Sequence, residues 1–160
     1  MLDARVAAWH DRAMGEILIR RLVPGDEALA GAMFSMMSAV FNETSEPVSE
    51  EYLTALLGRE SFWAIAALDG ADVVGGLTAH TLPMTRTPSS EVFIYDLAVR
   101  GDHQRQGVGS RLVNQLRTAA ALLGINEVFV PADNEDAGAL DFYRAQGAAA
   151  SPVTIFTFTG

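Results

Sequence analysis

A chain of 160 residues, 49% hydrophobic and 19% charged, suits one domain with one sizeable core and does not read as a disordered polymer. Its 20 acidic against 11 basic side chains leave a net charge of −9, which disfavours nucleic acid and anionic membrane as partners and favours a cationic ligand. Cysteine is absent, which excludes disulfides, thiolate metal sites and a cysteine acyl-enzyme, and the scattered His10, His80 and His103 suggest no metal site. No stretch reaches the roughly 18 apolar residues of a membrane span, and residues 1–22 lack a signal-peptide core, so a soluble, cytoplasmic protein is expected.

Residues 1–15 precede the first regular element and read as a flexible N-terminal arm, with Met14 an equally good chain start. Residues 16–22 alternate as a strand around Ile17 and Ile19. Pro24-Gly25-Asp26 predicts a turn and N-cap, followed by helical spacing at Leu29, Met33, Met36, Met37, Val40 and Phe41, whose methionines read as core rather than cofactor contacts. A polar, acidic loop over 42–51 leads to a short helix with Tyr52, Leu53, Leu56 and Leu57 on one side. Residues 62–68 and 73–81 predict a strand pair turning at Asp69-Gly70, and residues 83–90 a second loop.

Residues 91–99 predict a strand, 107–123 a helix with Val108, Leu112, Val113, Leu116, Ala119, Ala120 and Leu123 inward, and 127–130 another strand. A helix over 137–146, with Phe142 in the core and Gly147 as its cap, precedes a closing strand over 153–158. There is no repeat, linker or low-complexity segment, so residues 16–160 are expected to form one domain.

Between the strand over 91–99 and the helix that follows stands Gln104-Arg105-Gln106-Gly107-Val108-Gly109. Main-chain N–H groups in a glycine turn that opens a helix lack intrahelical partners and converge where the helix dipole favours negative charge, so this turn reads as a cradle for a pyrophosphate-bearing coenzyme. It is neither a Walker A loop, since no lysine follows the glycines, nor a dinucleotide fingerprint, since Leu112 stands where the third glycine would be. Asp96 is a carboxylate inside an otherwise apolar strand, where burial without a partner is costly, which makes it the candidate general base or ammonium anchor. Tyr95, one residue earlier, points to the opposite face by strand alternation and reads as a wall. His80, at a strand end, reads as a packed or surface residue.

The pattern Gln/Arg-x-x-Gly-x-Gly after a strand resembles the acetyl-CoA loop of the GCN5-related N-acetyltransferase superfamily. The segments Phe93-Ile94-Tyr95-Asp96-Leu97-Ala98-Val99 and His103-Gln104-Arg105-Gln106-Gly107 resemble more particularly its class I aminoglycoside 3-N-acetyltransferases. The likeness covers roughly residues 45–158, with Gln104 where arginine is usual. It implies an α/β (α+β) fold, a mixed, mostly antiparallel sheet flanked by helices, whose strands at 91–99 and 127–130 splay into a V-shaped slot for the pantetheine arm.

Acetyl transfer from a thioester to an amine needs a neutral amine, stabilisation of an oxyanion and a proton for the thiolate, and the resemblance supplies residues for each. Main-chain groups of Leu97, Ala98 and Val99 would hold the thioester and pantetheine. Gln104, Arg105, Gln106, Gly107, Val108, Gly109 and Ser110 would cradle the pyrophosphate of acetyl-CoA, His103 and Arg105 would either flank it or serve only the loop, and Asn134 would meet the pantetheine. Tyr143 would meet the sulfur and donate the proton. Asp133, Glu135 and Asp136, with Glu43 and Glu46 in the loop that covers the acceptor, would draw a small polycationic amine. With no cysteine and no Gly-x-Ser-x-Gly elbow, direct attack by the amine is expected. The leading acceptor is the 3-amino group of an aminoglycoside, which would make the chain an antibiotic-resistance enzyme. The alternatives are polyamine or protein amine acetylation and a non-catalytic acyl-CoA sensor. The oligomer stays open, a homodimer being one expectation because relatives often pair.

Overall fold

The computed structural model describes residues 16–160, so the expected arm over 1–15, with His10, lies outside the described residues. The chain divides into two compact units between Val130 and Pro131.

The first unit runs β1 (Leu18–Arg21), α1 (Glu27–Val40), α2 (Glu50–Leu57), β2 (Phe62–Asp69), β3 (Asp72–Pro83), β4 (Ser90–Val99), a 3₁₀ turn (Gly101–His103), α3 (Val108–Leu122) and β5 (Val128–Phe129). Its five strands form one sheet in the order β1-β2-β3-β4-β5. The first four are antiparallel neighbours and β5 joins β4 in parallel, as the resemblance implied. Asp26 stands at the N-cap of α1, but its carboxylate turns back to accept from the Val23 N–H and from Arg20 rather than capping the helix. Ser49 does cap α2, accepting from the Tyr52 N–H at 3.2 Å.

β2 and most of β3 are buried on both faces, which is why they read as apolar runs rather than alternating ones. Two adjacent glycines on β3 show what lies on either side. A Cβ on Gly75 would meet Val108 and Leu112 of α3, whereas one on Gly76 would meet Met33 and Met37 of α1. Successive residues of a strand face opposite ways, so α3 covers one face of the sheet and α1 with α2 the other. Met33 and Met37 are buried, in keeping with a core role. Leu123, expected inward, is exposed because α3 ends at Leu122 and Gly124 turns the chain away.

The approach of α1 to Gly76 leaves no room for a methyl group, since its Cβ would stand 2.6 Å from Met33 Cγ and 2.9 Å from both methionine sulfurs. Gly76→Ala is therefore expected to destabilise the fold by about 1–3 kcal/mol through overpacking, read as a lowered midpoint in urea unfolding. An unchanged midpoint would mean that α1 yields without cost.

The second unit holds α4 (Ala137–Ala145), opened by Asp136, whose Oδ1 accepts from the Ala139 N–H at 2.9 Å, and closed at Gly147 with φ +86°. Two expectations fail here. Phe142 is only partly buried, no residue of α4 being fully covered. Residues 153–158 form no strand: Val153, Ile155, Phe156 and Phe158 are exposed, and the segment joins no ladder among the described residues. Its β-branched and aromatic composition favours a pleated strand, but strand geometry persists only when a neighbour supplies the hydrogen bonds.

Candidate active site

β4 positions the site. It pairs with β3 along its whole length, but with β5 only at Val92↔Val128 and Phe93↔Phe129. Beyond Phe93 the two strands part, so Leu97, Ala98 and Val99 keep one edge bonded to β3 and leave the other without a strand partner among the described residues. This is the place where the resemblance puts a splayed slot.

The chain then enters a tightly bonded turn. Arg100 grips Asp102 with two hydrogen bonds, at 2.7 and 3.0 Å, and the guanidinium holds the Asp102 carboxyl below the usual carboxylate range. His103 bridges Asp102 at 2.8 Å and Asp69, the last residue of β2, at 3.0 Å. Gln104 Nε2 donates to the Val99 carbonyl at 2.9 Å and Gln106 Nε2 to the Asp102 carbonyl at 3.2 Å. Glutamine in place of arginine at 104 thus serves as an internal brace of the loop. His103, expected beside the pyrophosphate, is a strut of the same kind.

Arg105 and Gly107 are both left-handed, at φ +60° and +79°, and α3 starts at once with Val108. Alternation of this sort turns successive N–H groups toward one concavity, which the positive end of α3 reinforces. The first helical bond of α3 runs from the Arg111 N–H to the Gly107 carbonyl, so the N–H groups of Val108 and Gly109 precede the ladder. A Cβ on Gly107 would meet nothing within 4 Å, leaving open space over the turn. A pyrophosphate group fits such a cradle.

The His103 strut makes the loop pH-dependent. Its hydrogen bonds to Asp102, then Asp69, raise the imidazole pKa above its ordinary 6.5. A raised folded-state value means that the stabilisation is fully present below about pH 6.5 and is lost as pH rises through the folded value. His103→Gln is therefore expected to lower the melting temperature most at pH 6 and progressively less above it. A penalty that does not change with pH would reduce His103 to packing.

A cleft of about 480 Å³ opens on the α1 and α2 face of the sheet. Its floor is Thr78, His80, Tyr95 and Asp96 of β3 and β4, and Phe34, Phe41, Tyr52 and Phe62 give aromatic walls. Glu43 stands at its margin. His80 packs against Phe62 at 5.4 Å and edge-on to Tyr95 at 5.7 Å between ring centres, so it is a packed residue of the cleft floor, three residues short of the end of β3.

Strict alternation would send Tyr95 and Asp96 to opposite faces, yet both line this cleft. The cause is a bulge: Thr78 opposes Asp96, but Ala79 opposes Ile94, leaving Tyr95 as the extra residue that rotates Asp96 into the cleft. Burial, with the charge of Glu43 adding to it, raises the Asp96 pKa above its ordinary 3.8. Of the acidic residues expected around the acceptor, Glu43 joins Asp96 in the cleft, whereas Glu46 is exposed and does not line it. In the second unit, Asp133 accepts from the Glu135 N–H at 2.9 Å, Asp136 caps α4, and Asn134 and Glu135 are exposed. Tyr143 lies on α4, and burial, then the charge of Asp136, pushes its phenol up to about 12.

Thr78 and the aromatic walls had no signal in the sequence. Threonine and aromatics are common strand and helix residues, so their convergence emerges only from register and packing.

Among solved structures the chain is similar to the aminoglycoside acetyltransferase meta-AAC0020 from an uncultured soil metagenomic sample in complex with trehalose. Identity is 36% and the TM-score 0.85, over 89% of this chain and 95% of the other. With the same protein in complex with sisomicin, identity is 34% and the TM-score 0.86, over the same shares. The aminoglycoside acetyltransferase HMB0005, also from an uncultured soil metagenomic sample, is 30% identical with a TM-score of 0.85, over 91% of this chain and 99% of the other. No curated protein matches the chain. The model of the acetyltransferase (GNAT) family matches residues 28–148, spanning the aromatic cleft, β4, β5 and the glycine turn, and the chain belongs to that family.

Proposed function

We propose that this protein transfers acetyl from acetyl-CoA directly to an amine of a small polycationic acceptor, with the 3-amino group of an aminoglycoside as the leading case. The observation that carries this reading is the cleft itself, in which Asp96 and Glu43 stand among aromatic walls. Two carboxylates and several π faces suit an ammonium-rich ligand and repel an anionic one. The similarity to an aminoglycoside acetyltransferase in complex with sisomicin supports the same class.

When bound, acetyl-CoA supplies the acetyl group as a thioester and departs as a thiol. The cradle from Gln104 to Ser110 would hold its pyrophosphate, and the edge of Leu97, Ala98 and Val99 its pantetheine amides, with Asn134 assigned to the same arm. Asp96 takes a proton from the acceptor nitrogen, a task suited to a carboxylate whose pKa is raised. Tyr143 is assigned the proton that the sulfur needs, and its phenol is protonated at every working pH. Asp133, Glu135 and Asp136 are assigned to outlying cationic groups of the acceptor.

Tyr143→Phe is expected to reduce kcat about 10²- to 10⁴-fold with little change in acetyl-CoA affinity. An unaltered kcat, where chemistry limits the rate, would leave Tyr143 a packing role. The reading as a whole is tested by thiol release from acetyl-CoA with aminoglycosides, polyamines and lysine peptides, followed by NMR of the product to locate the acetyl group. Acetylation of peptides alone, or of no amine, would overturn it.

A further inference from the structure

Among the described residues Thr78 is the one buried polar side chain, 7% exposed, and its Oγ1 finds no hydrogen-bond partner among them. It lies in the floor of the acceptor cleft, directly opposite Asp96 across the β3 and β4 pair. A hydroxyl buried without a partner costs stability, and valine would fill the same shape and suit a strand at least as well. The placement therefore makes sense as a group held ready for a ligand.

We infer that Thr78 Oγ1 and the Asp96 carboxylate together hold the reactive nitrogen of the acceptor, Thr78 orienting its lone pair. Residues directly opposite in an antiparallel pair have Cβ atoms about 4.5–5.5 Å apart, a span that one nitrogen can bridge with a hydrogen bond to each side. As direct partners, Thr78 and Asp96 face the same side of the sheet, and both line one cavity. A neutral primary amine has two N–H bonds and one lone pair. When one N–H donates to Asp96 and the other to Thr78, the lone pair has a single remaining tetrahedral direction. As the new C–N bond forms and the thioester C–S bond breaks, the departing sulfur taking the proton assigned to Tyr143, the N–H facing Asp96 gives its proton to the carboxylate and the other stays with the amide product. An acceptor nitrogen with two N–H bonds is thus required, so primary amines are selected over secondary ones.

This inference rests on the amine acetyltransferase reading, and the experiment separates the two. Wild type, Thr78→Val and Thr78→Ser are assayed with acetyl-CoA and sisomicin, spermidine or a lysine peptide, alongside coenzyme affinity and thermal unfolding. Thr78→Val is expected to lower kcat about 10- to 100-fold with a smaller change in KM, to bind acetyl-CoA normally, and to melt about 2–4 °C higher. Thr78→Ser is expected to retain activity within about threefold, because it keeps the oxygen. If Thr78→Val is as active as wild type, or Thr78→Ser is as impaired as Thr78→Val, the hydroxyl does not hold the nitrogen and the inference fails while the acetyltransferase reading stands. If wild type acetylates none of the three amines, the acceptor reading falls and the inference falls with it.

Discussion

Asp96→Asn is expected to lower kcat/KM for cationic amines about 10²- to 10⁴-fold at neutral pH while leaving acetyl-CoA affinity unchanged. Asparagine keeps the shape and the place on the bulge but neither accepts a proton from nitrogen nor balances an ammonium. Since burial, with Glu43 beside it, raises the Asp96 pKa, the acidic limb of the wild-type pH profile should lie above the ordinary carboxylate range. Glu43→Gln should move that limb back down. The same shift has a stability consequence of defined sign. A carboxyl whose folded-state pKa is raised stabilises most when protonated, and that contribution is lost as pH rises through the folded value. Asp96→Asn should accordingly melt higher than wild type at pH 7, and the advantage should vanish below about pH 4, where the carboxyl is protonated in both states. Full activity of Asp96→Asn across the pH profile would make Asp96 a structural residue.

Gly107→Asp is expected to weaken acetyl-CoA binding at least about 100-fold in a domain that stays folded. Space is available, because a Cβ there would meet nothing within 4 Å, and aspartate tolerates the left-handed φ of +79° at a cost of roughly 1–2 kcal/mol. What it introduces is a negative charge over the concavity that the turn and the N-terminus of α3 make for an anion. Two like charges about 4 Å apart repel by roughly 1 kcal/mol in bulk water and about 4 kcal/mol near a protein surface, and each 1.4 kcal/mol is worth tenfold in affinity. Gly107→Ala, which adds bulk without charge, should lose much less. Calorimetry with acetyl-CoA on both variants checks this, and equal affinity for Gly107→Asp and wild type would remove the pyrophosphate from this turn.

Local chemistry made the fold readable in advance. The helical spacing of Leu29, Met33 and Met37, the apolar runs that became β2 and β3, and the turn at Asp69-Gly70 each reflect forces acting within a dozen residues, and each element formed where that spacing placed it. The glycine turn before α3 was legible for the same reason, since a turn opening a helix has its geometry written into adjacent positions. Residues 153–158 carry strand propensity but form no strand, because propensity is local and pairing is not.

The site divides along the same line. An aspartate in an apolar strand is conspicuous in the sequence, so Asp96 could be singled out from composition alone. That Tyr95 shares its cleft could not, because alternation is a rule of two residues and the bulge that breaks it depends on how β3 pairs with β4. His103 and Gln104 stand in the turn that reads as a ligand cradle, and the fold engages both side chains within the protein, His103 across the chain with Asp69 and Gln104 with the nearby Val99 carbonyl. The hydroxyl of Thr78 is the clearest case: threonine is ordinary in a strand, and only the burial and register of the folded sheet set it opposite Asp96 with no partner among the described residues. The sequence by itself determined which elements form and which chemical groups the chain carries, because spacing and composition are local. Tertiary structure alone decided which of those groups share a cavity, because register, bulges and burial arise only when distant segments pack.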